Sequence, residues 1–253
     1  MTIGCQMARV GGLLLMTALV ATAGLAVADV APGNAPYDGK FVFVRLRYEM
    51  SRNLGGGFFG RDLPWAHDYP RAEQNLSKIL GELTHIDTFQ GPTGGNILTL
   101  DDPDLHKFPF AYMSEPGFWE MSEAEALGLR NYLLKGGFLV FDDFRGPHWS
   151  NFETQLQRVL PDAQLIQLDI THPIFHSFFD IETLDMPPMY GTTPTFFGIF
   201  ENNDPKQRLM MIANYDNDIG EYWEYSETGW LPIDLSNEAY KFGVNYIVYS
   251  MTH

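Results

Sequence analysis

The sequence predicts an α/β protein built on a mainly parallel sheet, and three observations carry that expectation. Short apolar runs alternate with amphipathic segments through most of the chain. Two of the runs, Phe41-Val42-Phe43-Val44 and Phe138-Leu139-Val140-Phe141, are continuously apolar, as in strands covered on both faces. A glycine pair, Gly136-Gly137, ends one helical pattern and passes straight into Phe138, which is a short α-to-β connection.

Residues 1–28 read as an export signal. Arg9 supplies a positive start, an apolar core follows over 13–20, and Ala26-Val27-Ala28 is a small-x-small cleavage site. A membrane helix is the competing reading, but the apolar run is short and interrupted by Gly11, Gly12, Thr17 and Thr22. The expectation is an exported, periplasmic or extracellular protein with no span after cleavage. Residues 29–40, rich in Pro, Gly and Asn, form a flexible lead, and 41–253 form a single domain.

The elements follow in order. Residues 41–48 are the first strand, and 53–64 a glycine-rich loop. A helix opens at Tyr69-Pro70, with Asp68 placed to cap it and Ala72, Leu76, Ile79 and Leu83 on one face. Short strands occupy 97–100 and 108–112. Ser122 and Glu125 form a capping box, and the helix they start shows Ala126, Leu129 and Leu133 on one side. After the strand at 138–141 come a helix over 151–160 and a strand over 164–168. Segments 196–200 and 208–213 form a late strand pair across Asn202-Asn203-Asp204-Pro205, and Ser236 caps a final helix. The whole fits a flavodoxin-like three-layer sandwich, with the aromatic-rich segment 190–230 as a C-terminal covering insertion.

Composition narrows the chemistry. Cys5, the only cysteine, lies before the apolar core of the signal, so the exported part has no disulfide, no zinc–thiolate site and no thiol nucleophile. The formal net charge of −16 repels nucleic acid and anionic lipid, while tolerating cations, glycans and peptides. Gly55-Gly56-Gly57-Phe58-Phe59-Gly60 matches a dinucleotide pattern but does not open a helix directly, and is rejected on that ground.

The sharpest cluster is Asp142, Asp143, Arg145 and His148 at the carboxyl end of a buried strand, where open α/β sheets bind ligands. Catalytic roles fall to Asp142, Asp143, His148 and His172, and a divalent metal would take Asp143, His148 and His172. His176, four residues after His172, is a weaker candidate because Pro173 interrupts a regular helix. Arg45, Tyr48, Asp68, Arg71 and Arg145 are the ligand-binding candidates. Asp216-Asn217-Asp218 resembles part of a calcium loop without the full spacing. Tyr222, Trp223, Tyr225 and Trp230 offer either core packing or a sugar-stacking face.

With those residues laid out, the chain resembles an exported bacterial family of domains of unknown function (DUF4159 type) with a class I glutamine amidotransferase-like fold. The resemblance rests on Phe43-Val44-Arg45-Leu46-Arg47-Tyr48, Asp68-Tyr69-Pro70-Arg71-Ala72-Glu73, the segment from Gly136 to Asp143, His172-Pro173-Ile174-Phe175 and the tail from Gly243 to Tyr249. It implies that Asp142 or Asp143 lies near the place of the amidotransferase cysteine. Glutaminase chemistry is excluded, because the exported chain has no cysteine there. The resemblance further implies a catalytically degenerate domain that binds a small molecule, a glycan or an envelope protein partner. A metal-assisted hydrolase or carbohydrate-processing enzyme is the alternative.

Overall fold

Strand β1 (Phe43–Arg47) lies inside the parallel part of the sheet, where its apolar side chains Phe43, Val44 and Leu46 are covered on both faces. The structure is a computed structural model that describes residues 33–50, 63–185 and 191–253, besides Met1. The expected signal and most of the glycine-rich loop 53–64 lie outside the described residues. After β1 come β2 (Glu49–Met50), α1 (Arg71–Leu83), β3 (Gly95–Thr99), β4 (Phe110–Ser114), β5 (Trp119–Glu120), α2 (Glu123–Leu134), β6 (Phe138–Phe144) and α3 (His148–Val159). The chain continues with β7 (Ile166–Gln167), β8 (Thr195–Phe200), β9 (Leu209–Tyr215), α4 (Ile219–Glu224) and α5 (Ile233–Thr252).

Seven strands form one sheet in the order β3-β1-β4-β6-β9-β8-β7, and β2 pairs with β5 in a separate antiparallel ribbon. The first five positions of the large sheet are parallel, and β8 and β7 add an antiparallel edge. Counted in chain order, the parallel strands run second, first, third, fourth, fifth. That is the flavodoxin-like winding, whose order reverses between β1 and β4, the place where sheets of this kind bind ligands at the carboxyl ends of their strands.

The period-two alternation of each strand sorts its side chains into two cores. Phe43, Phe110, Tyr112, Val140 and Ile212 face α1, α4 and α5, while Val44, Leu46, Met113, Phe141 and Met211 face α2 and α3. The capping box of α2 is fully formed, with Ser122 and Glu125 satisfying each other's backbone amides.

Five expectations change. Segment 190–230 is not a covering insertion: its residues 195–200 and 209–215 are β8 and β9, and β9 lies directly beside β6. Asp68 does not cap α1, whose first turn is instead preceded by Pro70; the Asp68 carbonyl accepts from Ala72. Helix α3 begins at His148, three residues earlier than the apolar period suggests, and α5 begins at Ile233 after Pro232, leaving Ser236 buried inside it. The lead is tied down at Asn34 and Ala35. The Asn34 carboxamide donates to the Ile97 carbonyl and accepts from the Ile97 amide, both at 3.0 Å, and Ala35 exchanges two bonds with the Asn96 side chain.

Candidate metal centre

Arg45, at the middle of β1, is 1% exposed. Its guanidinium pairs with the equally buried Glu73 of α1, and Nη1 donates to the carbonyls of Trp65 at 3.2 Å and His67 at 2.8 Å. Those two bonds pin the backbone of the short turn that precedes α1, and so set where the His67 ring emerges. Burial lowers the affinity of the guanidinium for its proton, but the Glu73 carboxylate outweighs that and Arg45 stays charged.

One nitrogen of the His67 imidazole meets two acids. Its Nδ1 lies 2.8 Å from Asp143 Oδ2 and 3.4 Å from Asp68 Oδ1. Asp143 comes from the end of β6, where the register with β9 slips between Phe141 and Phe144 and Asp143 adopts φ 56°. A bulge of this kind re-aims a side chain at the rim of a sheet. Asp68 and Glu115, which follows β4, are also left-handed, with φ 65° and 47°. Three strained, non-glycine backbones thus converge around one imidazole, a concentration found at sites of function rather than in plain scaffold.

Two sets of donor atoms lie within 4.8 Å of one another: His67, Asp68 and Glu221 in one, and His67, Asp143 and Asp218 in the other. Asp218 precedes α4 and accepts from the Glu221 amide at 2.9 Å, so α4 delivers two acids to the cluster. Asp68 is the telling member. It is buried, yet neither of its carboxylate oxygens receives a hydrogen bond of ordinary geometry.

Electrostatics follow from that crowding. Burial, then the neighbouring acids, hold Asp68 and Asp218 well above the usual carboxylate range. Glu221 is raised for the same reason, and Glu115 is pushed up to about 8. The hydrogen bond to Asp143 lifts His67 to about 9. A single imidazolium cannot neutralise so many acids, so the cluster must either retain protons or take a cation. An imidazole among several carboxylates is a donor set suited to Mn²⁺ or Zn²⁺ more than to Ca²⁺, which prefers oxygen alone.

The family model for a domain of unknown function, DUF4159, matches residues 42–251. The chain belongs to this family. No curated protein matches it. The match spans every residue of the DUF4159 rim just described.

Within this DUF4159 chain, the sequence-predicted residues separate by place. Asp143 is at the centre. Asp142, one residue earlier, is fully buried and serves the scaffold: its carboxylate accepts from Tyr112 Oη, Asn214 Nδ2 and the amides of Ile219 and Gly220, all at 2.9–3.0 Å. Burial pushes it up to about 6 against the pull of these donors. Arg45 positions the turn rather than facing a ligand, and Tyr48 donates to the carbonyls of Ser114 and Glu115, fixing the end of β4.

Asp68 is in the cluster, and Arg71 lies beside it over the Tyr225 ring at 5.9 Å. His148 borders the site: its ring packs edge-on against Phe118 at 4.7 Å, and burial lowers its pKa although Asp143 works the other way. Arg145 is exposed, and its charge acts on Glu115 and His148.

His172 lies elsewhere. Its ring meets Phe200 and Tyr249, and the Tyr249 hydroxyl in turn accepts from the amide of Leu209, the first residue of β9. That is the amino-terminal edge of the parallel strands, opposite to Asp143 and separated from it by the length of a strand, roughly 20 Å. His172 therefore joins neither donor set. His176 is engaged with Asp180 and the Ile170 carbonyl. His67, Glu115, Asp218 and Glu221 are the site residues that sequence reading missed. Only Asp218 carried a signal, as part of the incomplete calcium-like tripeptide.

Proposed function

We propose that this DUF4159 protein is an exported, catalytically degenerate amidotransferase-like domain that binds a ligand or envelope partner through a divalent cation. Either His67, Asp68 and Glu221 or His67, Asp143 and Asp218 would hold the cation. One observation carries this reading: a buried carboxylate, Asp68, that accepts no hydrogen bond of ordinary geometry and faces an imidazole at 3.4 Å and a second acid, Glu221. In a scaffold that satisfies Asp142 four times over, leaving Asp68 with only a long His67 contact and an acid beside it is costly unless a proton or another cation compensates.

The test is the melting temperature of chelator-treated protein with added Mn²⁺, Zn²⁺, Ca²⁺ or Mg²⁺. Mn²⁺ or Zn²⁺ is expected to raise it by several degrees in a saturable way. Asp68→Asn should abolish the increment while leaving the metal-free protein at least as stable, since a buried charge is gone. Unchanged melting with every ion, together with no metal in elemental analysis of the purified protein, would sink the proposal.

A metal-assisted hydrolase is the second reading. It is favoured by His148, whose Nδ1 is buried without a hydrogen-bond partner and whose ring lies close enough to sense the charge of Asp143. In that case His148→Gln should remove turnover of an activated ester while leaving the cation-induced stabilisation intact.

A further inference from the structure

Two elements that build the cluster also build a surface beside it. Asp68 is followed three residues later by Arg71 at the start of α1, and Glu221 four residues later by Tyr225 at the end of α4. The step from Glu221 to Tyr225 is about one turn of α4, so the Tyr225 ring is displaced from the cluster by about 5 Å along that helix. The Arg71 guanidinium lies over Tyr225, and burial, then the charges of Glu224, Glu221 and Asp68, raise the pKa of the Tyr225 hydroxyl.

Trp230 completes the surface. Its ring meets Tyr225 edge-on at 4.5 Å and 70°, and it is 62% exposed. An indole this open is not left loose. The Thr228 amide and hydroxyl both donate to the Tyr225 carbonyl, the Thr228 hydroxyl accepts from the Trp230 amide, and Gly229 takes φ 73°. The turn holds an apolar face out in water at a fixed angle. Arg71, in a chain with twice as many acids as bases, forms no ion pair among the described residues.

We infer that Arg71, Tyr225 and Trp230 form a saccharide subsite that receives an acidic sugar ring adjoining the cation centre. The inference rests on the cation reading for its second contact only. A pyranose ring offers an apolar C–H face to Trp230 and is about as wide as the 5 Å offset between the subsite and the cluster. A carboxylate on that sugar would pair with Arg71, and hydroxyls of the neighbouring ring would reach the cation. The Tyr225 and Trp230 rings present a corner rather than a parallel slot, which suits a ring stacked on one side better than an intercalated base.

Isothermal titration calorimetry of the full exported chain tests it, using trigalacturonate, with maltotriose and ATP as comparisons, each with and without Mn²⁺. Trigalacturonate should bind, more tightly with Mn²⁺, and maltotriose should bind more weakly. Trp230→Ala should weaken binding by about tenfold or more, with Trp230→Phe restoring most of it. Arg71→Ala should erase the preference for the acidic sugar. Both sites are exposed, so these variants should melt like the parent.

Absence of heat with every saccharide, or unchanged affinity in Trp230→Ala, would overturn the subsite; so would preference for ATP. If Mn²⁺ still raises the melting temperature in that case, the cation centre stands and only the subsite falls. Trp230-dependent saccharide binding that ignores Mn²⁺ would uphold the subsite and remove the cation from it.

Discussion

At Asp142 four donors surround one buried carboxylate, whereas the next side chain, past a left-handed backbone, meets the imidazole of His67. Sequence reading marks both acids as candidates because both end a buried strand, and it has no means of separating them. The separation comes from the bulge between Phe141 and Phe144, which follows from how β6 registers against β9, a strand some seventy residues further on. His67 was invisible for a related reason: its role depends on Arg45 gripping its carbonyl from inside the sheet. His172 shows the converse error, a histidine credited with a site that it does not reach. Its Nδ1 accepts from the Ile174 amide and its ring is part-buried against Phe200, which lowers its pKa below the ordinary 6.5. The unfolded chain thus takes up the proton first as pH falls. The stability that neutral His172 supports is complete above pH 6.5 and declines as pH drops below it. His172→Asn keeps an acceptor for Ile174 and removes the titration, so urea denaturation at about pH 5 and about pH 7.5 should differ less in the variant than in the parent. An equal acid loss in both proteins would refute this assignment.

Among the elements, the ones with self-contained signals were legible. The Ser122–Glu125 box, the glycine stop after α2 and the hairpin of β8 and β9 each announce themselves within a dozen residues or so. Helix α4 did not, because six residues are too few to show a period and its purpose is positional. It delivers Asp218 and Glu221 to the cluster and hands two amides to Asp142. Gly220 makes that approach possible: a Cβ there would lie 2.4 Å from Asp68 Oδ2 and 2.7 Å from Tyr112 Oη. Gly220→Ala should therefore cost about 1–3 kcal/mol in urea denaturation through overpacking. It should also displace Asp68, so the melting increment from Mn²⁺ should shrink in parallel. An alanine variant as stable as the parent and equally responsive to Mn²⁺ would show that α4 is free to shift.

For the molecule as a whole, alternation of strands and helices was enough to foresee a parallel sheet with helices on both sides, since continuous apolar strands need cover on two faces. What alternation does not encode is which strand neighbours which. The placement of β9 beside β6, and hence the presence of Asn214 under Asp142, depends on long-range pairing that leaves no local mark. Among the described residues, the two end strands of this sheet have no further strand beside them. One is closed off by brevity, for β7 has two residues. The other, β3, is met by the lead, where the Asn34 carboxamide makes with Ile97 the two bonds that a further strand would make. A side chain there imitates a peptide group, and it stops the pattern instead of extending it. Asn34→Ala would leave an unfinished ladder that a second copy can complete, so light scattering should reveal concentration-dependent dimers in the variant and none in the parent. A monodisperse variant would mean that Asn96 and Ala35 suffice. A single amide so placed lets the chain keep a bare sheet margin without inviting fibrous growth.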